Sequence, residues 1–444
     1  MEKQAMELLE QRRFSELREL LKEMEPFDIA TLLEGVPEEE LPLMFRILPK
    51  ELAADTFVEM DSDMQELLIA SFSDRELKTV MDQIYLDDTV DIIEEMPANV
   101  VKRILKHTEP ELRMRINGIL QYPEDSAGSL MTIEYVDLRK DMTVLDAFTR
   151  IRRTGVNKET IYTCYVVDQN RTLLGLVSVK TLLLSNYEDV IEDIMETNVI
   201  YATTLEDQEA VAETFKKYDL LALPVVDMEQ RLVGIITFDD IMDVMQEEAT
   251  EDIEKMAAIM PTDRPYMKTG VWETYKKRIP WLMFLMISAT FTSTILNHFE
   301  GSLAVVPALI AFIPMLMDTG GNAGGQASVT IIRGLSLNEI EYSDMPAVVW
   351  KEIRVAFCCG ATLSVVCFLK VMLVDRKDVL TALVVAVTVF AAVCVAKMVG
   401  CTLPVLAKKI GFDPAVMASP FITTIVDAVS LMIYFAVASA IFHL

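Results

Sequence analysis

The sequence predicts a multi-domain chain: an all-α, solenoid-like N domain (residues 1–128), an α/β tandem pair (129–190 and 191–248), a connecting helix (249–278) and an all-α transmembrane domain of five helices (279–444). Three observations predict it. Charge is divided unevenly: the formal net charge is −28, yet residues from Ile279 onward carry 10 acids and 9 bases, so nearly all the acidity lies in residues 1–278. A strand–turn–strand pattern occurs twice, about 60 residues apart. Apolar stretches of about 20 residues, the length that crosses a bilayer core, recur in the second half.

In the N domain, apolar residues return every three and four positions (Leu8, Leu9, Phe14, Leu17, Leu20, Leu21), the period of an amphipathic helix. The stretches LLEGVPEEEL, FRILPKELAA and IIEEMPANVV each close an apolar run with Pro and then start another helix. Pro suits a first helical turn, where its missing N–H is not needed. Repeated short helix pairs predict a small solenoid. The N-terminal MEKQAMELLEQRRF has no apolar core of a signal peptide, so the acidic half is expected in the cytosol. Such a surface repels nucleic acid and attracts cations. Asp88 and Asp91, three apart on one predicted helix, share a face and offer oxygen ligands to a divalent cation. Asp87-Asp88-Thr89 equally reads as helix N-cap chemistry.

From about residue 129, strand and helix alternate. Thr160–Val167 is a β-branched run, followed by the turn Asp168-Gln169-Asn170 and a second strand, Leu173–Val179. The pattern returns as Ala222–Val226, the turn Asp227-Met228-Glu229, and Leu232–Phe238. Helices precede each copy (Val144–Thr154 and Asp207–Tyr218). YVVDQNRTLLGLVSVKTLL and LPVVDMEQRLVGIITFDDIMDV resemble a tandem pair of cystathionine-β-synthase (CBS) domains. That resemblance implies an adenine-nucleotide site, ATP or a relative, on a Gly-h-h-Ser/Thr-x-x-Asp element. Gly234, Thr237 and Asp240 match it in the second copy, whereas the first has Gly175 and Ser178 but no Asp three residues further on.

The connecting stretch is strongly acidic. Asp239, Asp240, Asp243, Glu247, Glu248, Glu251, Asp252 and Glu254 precede Lys255. So many like charges on one helix repel unless they are solvated or bridged by cations, and carboxylate oxygens are the ligand type that suits Mg²⁺.

The five predicted spans are Ile279–Phe299, Leu303–Ile332, Val355–Val374, Val379–Ala396 and Ala415–Leu444, the last carrying Asp427 and His443. Lys and Arg cluster before the first (Lys268, Lys276, Lys277, Arg278), after the second (Arg333, Lys351, Arg354) and after the fourth (Lys397, Lys408, Lys409). By the positive-inside bias the N-terminus is then inside and the C-terminus outside. The second span holds FIPMLMDTGGNAGGQASVTIIRG. A stretch so rich in Pro and Gly predicts a broken span that is buried in protein or lines water, with Asp318 on an ion pathway or merely interfacial. Asp427 falls deep in an apolar span with no adjoining base and predicts a hydrated or ion-bound carboxylate. The six cysteines have no zinc spacing and read as reduced packing residues.

The order of parts, with PMLMDTGGNAGGQAS and SPFITTIVDAVSLMIYF, resembles the MgtE family of magnesium channels over essentially the whole chain. The resemblance implies a homodimer in the plasma membrane, its pore lined by the second and fifth spans. Asp318, Asn322, Gln326, Thr424 and Asp427 would line it, with Asp427 contributing to the Mg²⁺ site. It further implies closure by cytosolic Mg²⁺ bridging acidic faces, for which the candidate ligands are Asp88, Asp91, Asp219, Asp240, Asp243, Glu248, Glu251 and Asp252. Gly325 departs from the family's usual Asn. No G-x-x-x-x-G-K-[ST] loop is present, so entry is expected to be passive and the protein not an enzyme. The alternatives are a broader Mn²⁺/Co²⁺ transporter and a membrane-anchored nucleotide or Mg²⁺ sensor.

Overall fold

A computed structural model describes residues 1–262, 266–300, 306–337, 339–417 and 419–442. The chain divides into two compact units, Met1–Met245 and Gln246–Leu444.

The first unit opens with ten short helices from Glu2–Glu10 to Pro110–Ile119. Their inward faces make one core in which Leu17, Leu21, Ile29, Met44, Phe57, Leu68 and Val90 are sealed from solvent. Phe45, Phe57 and Phe72 meet at its centre with ring centroids 5.4 to 6.3 Å apart. Prolines set the helix starts, but Pro49 and Pro97 stand at the N-cap rather than inside the first turn. An N-cap needs extended φ/ψ, which the proline ring provides at φ −57° and −59°.

Two three-stranded sheets follow, each with the same topology. In the first, β1 (Val136–Leu138) pairs parallel to β2 (Thr163–Val167), which pairs antiparallel to β3 (Leu173–Ser178). In the second, β4 (Ala202–Thr203), β5 (Ala222–Val226) and β6 (Leu232–Thr237) repeat the arrangement. The crossover helices are Val144–Thr154 and Gln208–Tyr218. Each hairpin turn is tied by its Asp: Asp168 Oδ1 accepts from the N–H groups of Asn170 and Thr172, and Asp227 Oδ1 from those of Glu229 and Arg231. The sheets cover each other through Tyr135, Tyr165, Val167, Leu232 and Ile235. Gly234 lies where the chain passes closest, since a Cβ there would meet Thr132 O at 2.7 Å.

The connecting helix is Phe238–Met256, starting earlier and ending well before the expected 249–278, and it runs across the division between the two units. Five long helices then fill the second unit: Val271–His298, Ile313–Ser336, Met345–Leu373, Val379–Lys409 and Ser419–Phe442. Among the described residues, four of them are long and apolar enough to cross a membrane. The second is too polar to meet that measure, though its 24 residues reach about 36 Å, more than a bilayer core. Residues 303–305, where the second predicted span begins, and His443 lie outside the described residues.

The expected break in the second span is not found. A 3₁₀ turn, Pro307–Phe312, leads into one uninterrupted helix through the Gly-rich stretch. Its glycines serve close packing instead. A Cβ at Gly320 would press on Val426 and Ser430, one at Gly321 on Thr423, and one at Gly324 on Ile422. A Cβ on Gly400 of the fourth helix would lie within 2.2 Å of Gly324 O. Small residues let the backbones approach, as membrane helix pairs require. The fourth helix runs on past its expected end at Ala396 to Lys409, and Lys397, expected in a flank, is buried within it.

Candidate cation sites and conduction face

In the first unit, carboxylates from distant parts of the sequence gather. Asp87, Asp88 and Asp91 lie on the helix Leu86–Glu95, whose N-cap is Tyr85, so Asp87 and Asp88 occupy the first turn and neither is the cap residue. Desolvation, then the charges of Asp240 and Asp239, pushes the Asp88 carboxyl up to about 7. Desolvation, then Asp87, Asp240 and Asp88, pushes Asp91 up to about 8. Asp91 is nevertheless open to solvent. Asp240 rises to about 7 through desolvation and Asp87, against the hydroxyl of Thr237, which donates to its Oδ2 at 2.5 Å. Asp243 and Glu59 are raised by desolvation, then by Asp239 and by Asp243 respectively.

Three members of this group escape a reading by spacing. Asp87 Oδ1, Glu134 Oε2 and Glu159 Oε2 are buried with no hydrogen-bond donor. Glu159 is pushed up to about 8 by desolvation and by the charges of Asp87 and Asp88. Glu134 and Glu159 are joined through their backbones, Glu159 N donating to Glu134 O at 2.9 Å. Buried oxygens without donors, amid like charges, are costly unless protonated or met by a cation. The donor set is all oxygen and fits Mg²⁺ held partly through its waters. Among the described residues no three His, Cys, Asp or Glu side chains converge closely enough to hold a bare ion.

Asp219 has a different setting. It is exposed and ends the helix Gln208–Tyr218 in a left-handed conformation, φ 51°. Thr237 at the end of β6 bonds Asp240, while Gly234 lies inside the strand. Asp240, a residue of the sequence motif, is thus also a member of the carboxylate cluster. In the first copy Ser178 caps the helix Val179–Leu184, accepting from Thr181 N at 3.0 Å.

Glu248, Glu251 and Asp252 lie farther along the connecting helix. Asp252 Oδ2 accepts from Ser336 Oγ at 3.2 Å, at the end of the second membrane helix. Lys255 Nζ lies 2.7 Å from both Glu251 Oε1 and Asp413 Oδ2. These contacts need chain folding to form, and only the acidity of the helix is visible in the sequence.

In the membrane domain, Asp318, Asn322 and Gln326 follow one another at i, i+4 and i+8 and all three are exposed on the single chain. The glycines beside them, Gly320, Gly321 and Gly324, are buried against the fifth helix. Asp427 is half-buried on that helix, and the charge acting on it is the Asp318 carboxylate. The hydroxyls of Thr423 and Thr424 both donate to Pro420 O, at 2.9 and 3.1 Å, which leaves their oxygens able to accept. Of the residues expected to line a pathway, Asp318 and Asp427 lie close enough for their charges to interact, and Asn322 and Gln326 continue the Asp318 face of the second helix.

Comparison with known proteins agrees part by part. Residues 313–437 match the MgtE family described as a divalent cation transporter, residues 24–125 the MgtE intracellular N domain, and residues 127–186 and 191–247 the CBS domain. A magnesium transporter MgtE from Thermus thermophilus is 36% identical over 95% of this chain and 94% of its own length. One from Bacillus subtilis is 32% identical over 98% and 96%. A crystal structure of the cytosolic domain of the Mg²⁺ channel MgtE in complex with ATP covers 55% of this chain and all of its own, at 34% identity and TM-score 0.53. Sequence, domain order and the fold of the cytosolic part agree: the chain belongs to the MgtE family.

Proposed function

We propose that this protein is a multi-pass membrane channel or transporter for Mg²⁺, passive and closed from the cytosolic side by Mg²⁺ itself. The observation that carries the conduction reading is the polar line Asp318–Asn322–Gln326 on the second membrane helix, with Asp318 beside Asp427 of the fifth. A carboxylate within a bilayer is retained where it serves a pathway. In a homodimer, two such faces opposed would enclose a channel, and paired Asp427 carboxylates would hold a largely hydrated ion. An inside-negative potential supplies about 2.3 kcal/mol per charge per 100 mV, hence about twice that for a divalent ion. With the N-terminus inside, five spans would leave the C-terminus outside.

Closure is read from the carboxylate cluster. Cytosolic Mg²⁺ would bridge Asp88, Asp91, Asp240 and Asp243, with Asp87, Glu134 and Glu159 close by. At low Mg²⁺ these groups repel and the arrangement loosens, a two-state element biased by differential binding. The helix Phe238–Met256 carries Asp240 and Asp243 near its start and Glu251 and Asp252 near its end, so it links sensing to the membrane domain. Asp240 also belongs to the Gly234–Thr237–Asp240 motif, and the ATP bound by the related cytosolic domain suggests a nucleotide regulator here.

The test is Mg²⁺ flux in proteoliposomes, wild type beside Asp427→Ala, with Mg²⁺ varied on the side of the soluble unit. Flux that falls as that Mg²⁺ rises, and that is lost in the variant, supports both parts. Flux indifferent to Asp427 removes the pore assignment. Competition by Mn²⁺ and Co²⁺ in the same assay decides between a Mg²⁺ pathway and a broader divalent one.

A further inference from the structure

The last turn of the connecting helix is held in the second unit by a cation that belongs to the chain itself. Lys255 Nζ bridges Glu251, one turn back on its own helix, and Asp413, in the segment leading to the fifth membrane helix, at 2.7 Å to each. Asp413 is fixed in turn, because its Oδ1 accepts from Ala415 N at 2.8 Å. Alongside, Asp252 bonds Ser336 at the end of the second membrane helix. Met256 packs against Ile332 and Ala415. The stretch Glu251–Met256 therefore holds both the end of the second membrane helix and the segment that leads into the fifth.

Lys255 offsets one of the three negative charges gathered here. Glu251, Asp252 and Asp413 bring three negative charges, and the Asp413 charge, after desolvation, helps hold the Asp252 carboxyl above its usual range. Lys255 supplies the positive charge, with about three quarters of its side chain covered. Its ammonium has three donors and cannot diffuse away, unlike a dissolved ion.

We propose that Lys255 is a tethered cation that latches the connecting helix to the second and fifth membrane helices without Mg²⁺. It thereby sets how far the protein stays shut when cytosolic Mg²⁺ is low. This rests on the gating reading above. With Lys255 neutralised, the facing carboxylates are left to a soluble divalent ion, so closure becomes more dependent on Mg²⁺.

The test uses the full chain in proteoliposomes and reads contact separately from flux. Met256→Cys and Ala415→Cys are introduced with Cys358→Ser, Cys359→Ser and Cys394→Ser, since the remaining three cysteines are buried. Thiol cross-linking between the two introduced positions is compared in chelator and in millimolar Mg²⁺. The parent is expected to cross-link in both. Lys255→Gln should lower cross-linking in chelator by about 3- to 5-fold, the range of a partly exposed ion pair, and Mg²⁺ should restore it. Flux of Lys255→Gln at low Mg²⁺ should rise by a similar factor, and Lys255→Arg should behave as the parent. Asp413→Asn should match Lys255→Gln in chelator and add nothing to it. A parent that cross-links only with Mg²⁺, a Lys255→Gln variant unchanged in chelator, or one lowered equally with and without Mg²⁺ would each overturn the latch. Absence of Mg²⁺ flux in the parent counts instead against the channel reading, and the cross-linking result then still decides the latch.

Discussion

Glu352 on the third membrane helix faces Lys397 on the fourth, with Oε2 and Nζ 3.8 Å apart and both side chains almost wholly covered. Glu352 Oε2 has no hydrogen-bond donor. At this distance the pair offsets charge without making a tight bond. Removing one partner strands the other, which costs about 3–5 kcal/mol, while replacing both with neutral groups of similar volume is often near neutral. Glu352→Gln alone and Lys397→Met alone should therefore each lower the thermal midpoint of the purified protein clearly. The double variant Glu352→Gln/Lys397→Met should recover most of the loss. Additive losses in the double variant would mean that the charges are not coupled.

One turn beyond Lys397, Gly400 meets the second helix at Gly324, where an added methyl has 2.2 Å to a carbonyl oxygen. Backbone cannot yield as a flexible side chain does. Gly400→Ala should destabilise by about 1–3 kcal/mol, as overpacking does, read as a lowered thermal midpoint. Gly118→Ala in the first unit, where a Cβ would meet nothing within 4 Å, is the control and should not lower stability.

These contacts also show what a linear reading can and cannot reach. The duplicated α/β unit was legible almost to the residue: the helix Val144–Thr154 and the strand Ala222–Val226 were both expected where they are found. Alternation, β-branching and Asp-led turns are local signals. The glycines of the second membrane helix were visible, but their purpose was not. Pro and Gly together suggest a broken helix, whereas Thr423, Val426 and Gly400, about 75 to 110 positions away, make close packing the reason for them. Lys397 read as the edge of a span because a single base after an apolar run looks like a flank, and its partner Glu352 lies 45 positions earlier. Glu134 and Glu159 were missed for the same reason: no spacing rule links them to Asp87.

Asp427 gives a prediction on rate rather than stability. It is half-buried beside Asp318, and no base contacts it among the described residues. Asp427→Asn keeps the shape and removes the charge that attracts a cation. Mg²⁺ flux in proteoliposomes should fall at least about 10-fold, corresponding to about 1.4 kcal/mol, with the thermal midpoint unchanged or raised, since burying an amide costs less than burying a charge. A loss of flux accompanied by a large fall in midpoint would point to misfolding instead.

The carboxylate cluster of the first unit predicts a pH dependence with a definite sign. Asp88, Asp240, Asp91 and Glu159 are raised to about 7 or 8 in the folded state. In the unfolded chain such groups titrate near pH 4. Between those values the folded form holds protons that the unfolded form has released. The contribution of the cluster is therefore fully present below about pH 4 and is lost as pH rises through about 7 to 8. In chelator, the midpoint of the soluble unit should fall between pH 6 and pH 8.5. Added Mg²⁺ should restore it most at the higher pH, because the ion replaces the protons, and its binding near pH 7 should release protons measurable in a weak buffer. Asp88→Asn/Asp91→Asn should flatten the pH dependence in chelator and weaken the response to Mg²⁺. A midpoint that rises with pH in chelator, or a Mg²⁺ response unchanged in that variant, would place the divalent site elsewhere.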